Sequence, residues 1–325
     1  MISRRVPVAR WLWAAALLWS AAALAADKLS VVVYPAFAYH GSFVLEGRVI
    51  EARDAARERQ SDGWWRNLRR TLGRLINDEQ EDVSVTVAIG DRHWSAVSDE
   101  EGYFRIEGKV APDTAGGWRA VSVRAGAVVG RGTVLFMPED NTLGLISDVD
   151  DTILVSNVTD KSELLENTFL KNPLQRKAVP GVADFYRRLA AKNAHPSSAP
   201  IFYLSASPRQ LSGHIQEFLD HAGFPRGVLI TKKVTDDSSG EPLFDQRAYK
   251  IAHIEQILGR LPKVSFILVG DDGEQDPEIY HEIQSRYPKR IRAVYIHRVN
   301  SNPKRRRFDG QDDLRTALAG YRSPR

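Results

Sequence analysis

From Leu143 onward, short apolar runs alternate with amphipathic segments, and that alternation is the strongest constraint this chain places on its fold. Leu143 to Ser147 reads as a short buried strand. Val182 to Asn193 reads as a helix entered through Pro180-Gly181, Ile201 to Leu204 as a strand, and Gln210 to Ala222 as a helix. Val228 to Ile230, Val264 to Val269 and Ile291 to Ile296 continue the strands, separated by helices over Ala248 to Leu261 and Asp276 to Arg286. Strands that alternate with helices predict an α/β fold, a doubly wound parallel sheet with helices on both faces. Ligands bind such sheets outside the carboxyl ends of the strands, so polar residues should gather just after the apolar runs.

The first half of the chain follows another pattern. Leu29 to Tyr34, Phe43 to Ile50, Val83 to Ile89, Gly102 to Ile106, Ala120 to Val123 and Thr133 to Phe136 are short β-type runs separated by turn residues. Val83 to Ile89 alternates with period two before a Gly90-Asp91 turn, and the series predicts a small β-sandwich. Its Ser98 to Phe104 stretch, a polar turn feeding an aromatic strand, resembles the hairpin of transthyretin-like or carboxypeptidase-regulatory-like sandwiches. Near residues 51–80, Trp64, Trp65, Leu68, Leu72, Leu75 and Ile76 share one helical face amid Arg66, Arg69, Arg70 and Arg74. That insertion is read as a helix packed on the sandwich, with docking on anionic lipid as the alternative. The predicted organisation is a leader over 1–25, a β-sandwich-like domain over 26–140, an α/β domain over 141–300, and a basic tail over 301–325.

The leader has the signature of a secretory signal peptide. Arg4, Arg5 and Arg10 precede an uncharged apolar run from Trp11 to Leu24, and Ala23-Leu24-Ala25 offers a small-x-small cleavage site. The expectation is export to the periplasm or medium; the alternative is an uncleaved N-terminal membrane anchor, for which the run is short. Loss of these three arginines lowers the formal charge of +4 to +1. Global charge therefore gives no reason to expect nucleic acid as a partner. The chain has no Cys, which excludes disulfides, thiol catalysis and thiolate metal sites.

The strand ends carry the residues that the fold demands. After the first α/β strand come Asp148, Asp150 and Thr152; after the second, Ser205, Ser207 and Arg209. Lys250 lies in the helix before the Val264 strand, and Gly270, Asp271, Asp272, Glu274 and Asp276 follow that strand. Two carboxylates at i and i+2 past a strand end suit Mg²⁺-dependent phosphoryl transfer through an aspartate nucleophile. In that reading Asp148 attacks phosphorus and Asp150 is the general acid and base. Thr152, Ser205, Ser207 and Lys250 hold the phosphate oxygens. Asp148, Asp150, Asp271 and Asp276 are the metal candidates, since Mg²⁺ takes oxygen ligands and few carboxylates. Taken singly, Ser205 could be an N-cap, Lys250 a surface lysine and Asp276-Pro277 a helix start; four such sites in order favour the joint reading.

This order resembles the haloacid dehalogenase superfamily of phosphatases: Asp148-x-Asp150-x-Thr152, then Ser205, then Lys250, then Gly270-Asp271-x-x-x-x-Asp276. A narrower resemblance, over Leu143 to Arg298, is to the phosphatidate phosphatase family of the actin-patch-protein type. Ser147 to Ile153, Thr168 to Pro173, Tyr203 to Pro208 and Gly270 to Tyr280 carry it. The resemblance implies Mg²⁺-dependent release of phosphate from phosphatidate, leaving diacylglycerol. The chain departs from that family's commoner residues at Ala206, Arg209 and Asp272, which bears on substrate preference rather than on the four chemical positions. The stretch between Asp151 and Pro180 is too short for a large cap domain, so an open site is expected. Lys161, Lys171, Arg176 and Lys177 lie in it, read either as facing the phosphate or as a solvated loop.

Expected partners are an anionic phospholipid or another phosphomonoester, with peripheral membrane contact through the Trp64-Trp65 segment or through Lys304-Arg305-Arg306-Arg307. The alternatives are a phosphatase of a soluble phosphomonoester, and a membrane-surface binding protein in which the sandwich and tail do the work.

Overall fold

The computed structural model describes residues 29–51, 80–111, 116–155, 177–233 and 246–320. The expected leader, the Trp64-Trp65 segment and Lys161, Lys171 and Arg176 lie outside the described residues.

Eight strands form the N-terminal part: β1 (Leu29–Val33), β2 (Ala36–Tyr39), β3 (Ser42–Glu51), β4 (Ser84–Ile89), β5 (Arg92–Val97), β6 (Tyr103–Lys109), β7 (Gly117–Ala125) and β8 (Val128–Met137). Where the sequence predicts a small sandwich, the strands run as one continuous hydrogen-bonded sheet in the order β1-β3-β2-β8-β7-β4-β5, with β6 on the other side of β3. Pairing is antiparallel except between β2 and β8. Period-two alternation sends Val85, Val87 and Ile89 inward and leaves Ser84 and Thr86 outside. The sheet folds over, and β1 packs on β8 closely enough that a Cβ at Gly132 would meet the Val33 side chain at 2.3 Å. The enclosed core joins Val31, Leu45, Val49, Val123 and Val134 from both halves.

The second part is a six-stranded parallel sheet flanked by helices. Its elements are β9 (Leu143–Asp148), the short pair β10 (Leu154–Val155) and β11 (Lys177–Ala178), α1 (Val182–Ala190), β12 (Ile201–Pro208), α2 (Ser212–His221) and β13 (Val228–Lys232). Then follow α3 (Gln246–Arg260), β14 (Ser265–Asp271), α4 (Asp276–Arg286), β15 (Ile291–His297), β16 (Gln311–Asp313) and α5 (Leu314–Gly320). Strand order is β13-β12-β9-β14-β15-β16. Alternate residues of each strand feed two cores. Ile146, Phe202 and Leu268 pack with α3 and α4. Leu145, Tyr203 and Val269 pack with α1, α2 and α5. Helices therefore cover both faces, which is why these strands read as unbroken apolar runs.

Two further features differ from the sequence reading. Residues 311–320, read as part of a basic tail, pair along β15 and form α5, whose Leu314 is fully buried. And the two parts share a core: Phe37 and Tyr39 of β2 and Leu135 and Met137 of β8 pack into the cluster that holds α3 and α4. Among the described residues, no helix is long and apolar enough to cross a membrane.

Candidate functional site

The parallel register gathers the predicted residues at one edge. Asp148 ends β9 opposite Leu204 of β12, and Ser147 lies opposite Val269 of β14. Ser205 and Asp271 therefore flank Asp148 on either side, where the chain leaves β9 toward β12 and later returns to β14. Such a crevice is the usual ligand position in an open α/β sheet.

Asp148, Asp271 and Asp276 are buried, and one carboxylate oxygen from each lies within 4.8 Å of the others. Lys250, 2 % exposed, reaches them from α3, with Nζ 2.8 Å from Asp148 Oδ1 and 2.5 Å from Asp276 Oδ1. Three carboxylates against one ammonium leave a buried excess of negative charge. Burial drives the Asp148 carboxyl well above its ordinary range; Lys250 opposes this, while Asp276 and Asp271 add to it. Burial likewise raises Asp271, with the Asp276 charge adding to it. For Lys250, burial acts downward, but the Asp148 and Asp276 charges outweigh it and hold the ammonium firmly protonated. A divalent cation fits this set: it would neutralise the excess, and the donors are the hard oxygens that Mg²⁺ takes.

Thr152 is buried between two of these carboxyls, with Oγ1 3.2 Å from Asp148 Oδ2 and 3.1 Å from Asp271 Oδ2. A hydroxyl has one hydrogen, so it donates to one carboxylate and accepts from the other when that one is protonated. The turn that places Thr152 is tight. Asp151 adopts φ +54°, a left-handed conformation that Asp tolerates better than most residues. Its carbonyl accepts the Nδ1–H of His297 at 2.7 Å.

Asp150 stands apart from that trio. Its Oδ2 accepts hydrogen bonds from Ser205 Oγ at 3.1 Å and Ser207 Oγ at 3.4 Å. Ser205 Oγ in turn accepts the Ser207 amide at 3.1 Å. A register shift in β12 between Ser205 and Pro208 bends this stretch and brings both hydroxyls to Asp150. The structure thus places Asp148, Lys250, Asp271, Asp276 and Thr152 in one cluster, and Asp150, Ser205 and Ser207 in a second beside it.

The Asp276 side chain, the first of α4, does not cap the helix; Gln275 occupies the cap position without a side-chain bond. Asp276 Oδ2 instead accepts the Asp271 amide at 3.3 Å. This approach needs Gly270, because a Cβ there would meet Asp276 Oδ2 at 2.4 Å and the Tyr280 ring at 2.6 Å. Other contributors have no motif of their own. Tyr249 OH donates to the Ser205 carbonyl at 3.0 Å. Asp272 Oδ1 accepts the amides of Val299 and Asn300 at 2.7 and 2.8 Å. Arg305, from the stretch read as a basic tail, bonds the carbonyls of Asp272 (3.0 Å) and Glu274 (2.6 Å) and the Glu278 carboxylate. Tyr249 next to Lys250, and Arg305 inside the basic run Lys304 to Arg307, are faint signals at best.

Residues 143–298 match the family model described as "Phosphatidate phosphatase APP1, catalytic domain". The match runs from β9 through β15. Within the APP1-type catalytic domain, Phosphatidate phosphatase APP1 of Saccharomyces cerevisiae is 34 % identical over 155 residues, 47 % of this chain and 25 % of the yeast protein. An uncharacterized protein of Schizosaccharomyces pombe is 28 % identical over 162 residues, 50 % of this chain and 26 % of its own length. The chain thus spans about a quarter of each of these relatives. A carbohydrate acetylesterase structure from Xanthomonas citri aligns over 88 % of this chain and 70 % of its own, at 9 % identity and a TM-score of 0.31, too low to carry an argument.

Proposed function

We propose that the chain is an exported, Mg²⁺-dependent phosphatidate phosphatase whose APP1-type domain is a haloacid dehalogenase-like, doubly wound fold behind the folded-over antiparallel sheet. The observation that carries the reading is the division of the strand-end edge into two clusters. One holds a buried carboxylate against a lysine, and the other holds a second carboxylate against two hydroxyls. Each has a separate task in phosphoryl transfer. The similarity to the yeast phosphatidate phosphatase supports phosphatidate as the ester.

In the first half-reaction an Asp148 carboxylate oxygen bonds to phosphorus as the bond to the glycerol oxygen breaks, and Asp150 gives that oxygen its proton. In the second, Asp150 takes a proton from water, the water oxygen bonds to phosphorus, and the Asp148–phosphorus bond breaks. Lys250 neutralises charge on the equatorial oxygens and keeps Asp148 oriented. Ser205 and Ser207 hold Asp150 and offer hydroxyls to the phosphate. Asp148, Asp271 and Asp276 would hold the metal, which when bound neutralises charge on the phosphate.

The decisive measurement is phosphate release by the full chain. Phosphatidate in mixed micelles is compared with glycerol phosphate, nucleotides and an aryl phosphate, each with Mg²⁺ and with EDTA. Release from phosphatidate that EDTA stops and Mg²⁺ restores is expected; no release from any ester overturns the reading, and preference for a soluble ester overturns the lipid assignment. Asp148→Asn should lower turnover at least about 10³-fold while leaving the circular dichroism spectrum unchanged. Export is checked by N-terminal sequencing of secreted material, with a start at Ala26 expected.

A further inference from the structure

The loop that holds Asp150 is gripped from outside the APP1-type domain. Arg209 follows Ser205-Ala206-Ser207-Pro208 directly, and Pro208 leaves little slack between it and Ser207. Arg209 Nε donates to the Thr231 carbonyl at 3.2 Å. Its terminal nitrogen pairs at 2.7 Å with Glu46 Oε2 of β3, across the boundary between the two sheets, where the Arg209 side chain is 12 % exposed. The guanidinium carbon sits 5.4 Å from the Tyr34 ring centre and 5.8 Å from that of Tyr103. Arg105, bonded to the other Glu46 oxygen at 2.8 Å, fixes Glu46 in turn.

The neighbouring strand end is held in the same way. Lys233, just past β13, pairs with Asp99 at 3.1 Å and Glu101 at 3.4 Å, and its Nζ lies 4.6 Å from the Tyr103 ring centre. Glu46, Arg209 and Lys233 also line an interdomain cavity of about 320 Å³. Two cations from the carboxyl ends of β12 and β13 are thus received by carboxylates and aromatic rings of the antiparallel sheet.

We infer that Glu46 is a positioning residue for the phosphatase site, acting through Arg209 to fix the Ser205–Ser207 loop and, with it, Asp150. The antiparallel domain is then a working wall of the site and not a separate attachment module. This rests on the phosphatase reading for its catalytic consequence, but the mechanical link stands on the contacts alone.

The test uses the full chain with Glu46→Ala, Arg209→Glu and the swapped pair Glu46→Arg/Arg209→Glu. Hydrogen exchange needs no substrate. Glu46→Ala should speed exchange over residues 205–211 by about fivefold, the scale of effect a part-buried ion pair gives, and leave 265–271 unchanged. Unchanged exchange at 205–211, or equal acceleration at 265–271, overturns the inference. In turnover, each single change should lower kcat roughly tenfold, and the swap should recover most of it. Singles at the wild-type rate, or a swap no better than either single, also overturn it. If the unmodified chain releases no phosphate, the phosphatase reading fails, and exchange alone decides the link.

Discussion

Lys250 sits buried between two carboxylates, so removing it does more than delete a contact. Lys250→Ala leaves three buried carboxylates with no cation among them. Breaking a buried ion pair from one side costs about 3–5 kcal/mol, and urea denaturation at neutral pH in EDTA should show a loss of that order. Of the residues around it, Asp148, Asp150, Ser205, Asp271 and Asp276 are legible in the sequence because all lie within seven residues of the end of an apolar run. Their side chains must emerge at one edge once the strands are parallel. Tyr249 and Arg305 are not, because their bonds span 44 and 33 residues of chain and leave no local pattern. The proposed division of labour between Asp148 and Asp150 rests on the chemistry of their spacing. That Asp150 belongs to the serines, and Thr152 to the buried carboxylates, follows only from the folded arrangement of the strand ends.

At the scale of elements, runs with strong periodicity were placed well and quiet ones were not. Asp276 to Arg286 matches α4 residue for residue, since a Pro near its start and Arg at its end bracket it. Strand β2, Ala36–Tyr39, is buried at all four positions because one side serves each core, so it shows no alternation. Strand β16 is Gln-Asp-Asp and has no apolar signal; pairing with β15 alone makes it a strand. It delivers Leu314 of α5 into the core beneath it. Leu314→Ala should therefore cost about 2–5 kcal/mol, whereas Arg315→Ala, at an exposed position, should change stability by no more than about 0.5 kcal/mol. Equal, small effects would mean that this segment is the loose tail the sequence suggested.

Across the whole molecule, the two sheets are joined by charge as well as by apolar packing, and the charge part has a pH signature. Burial pushes the Glu46 carboxyl up, but Arg209 and Arg105 outweigh it and hold it below the ordinary carboxylate range. A carboxyl lowered on folding adds stability that is complete above its unfolded-state value, about 4.3, and is lost as pH falls through the lower folded-state value. The stability gap between the parent chain and Glu46→Gln should thus be constant near neutrality and close on acidification. A gap that persisted at low pH would assign the pair no electrostatic role.

The strand that belongs to both cores sets a limit on how the chain can be taken apart. Phe37, Tyr39, Leu135 and Met137 are interior to a cluster that also contains α3 and α4, so neither half has a finished surface where the other begins. A cut near residue 140 would expose an oily strip on each piece, and both pieces should be prone to self-association. Scanning calorimetry of the intact chain should accordingly give one heat-absorption peak whose calorimetric and van't Hoff enthalpies agree, where two independent modules would melt in two steps.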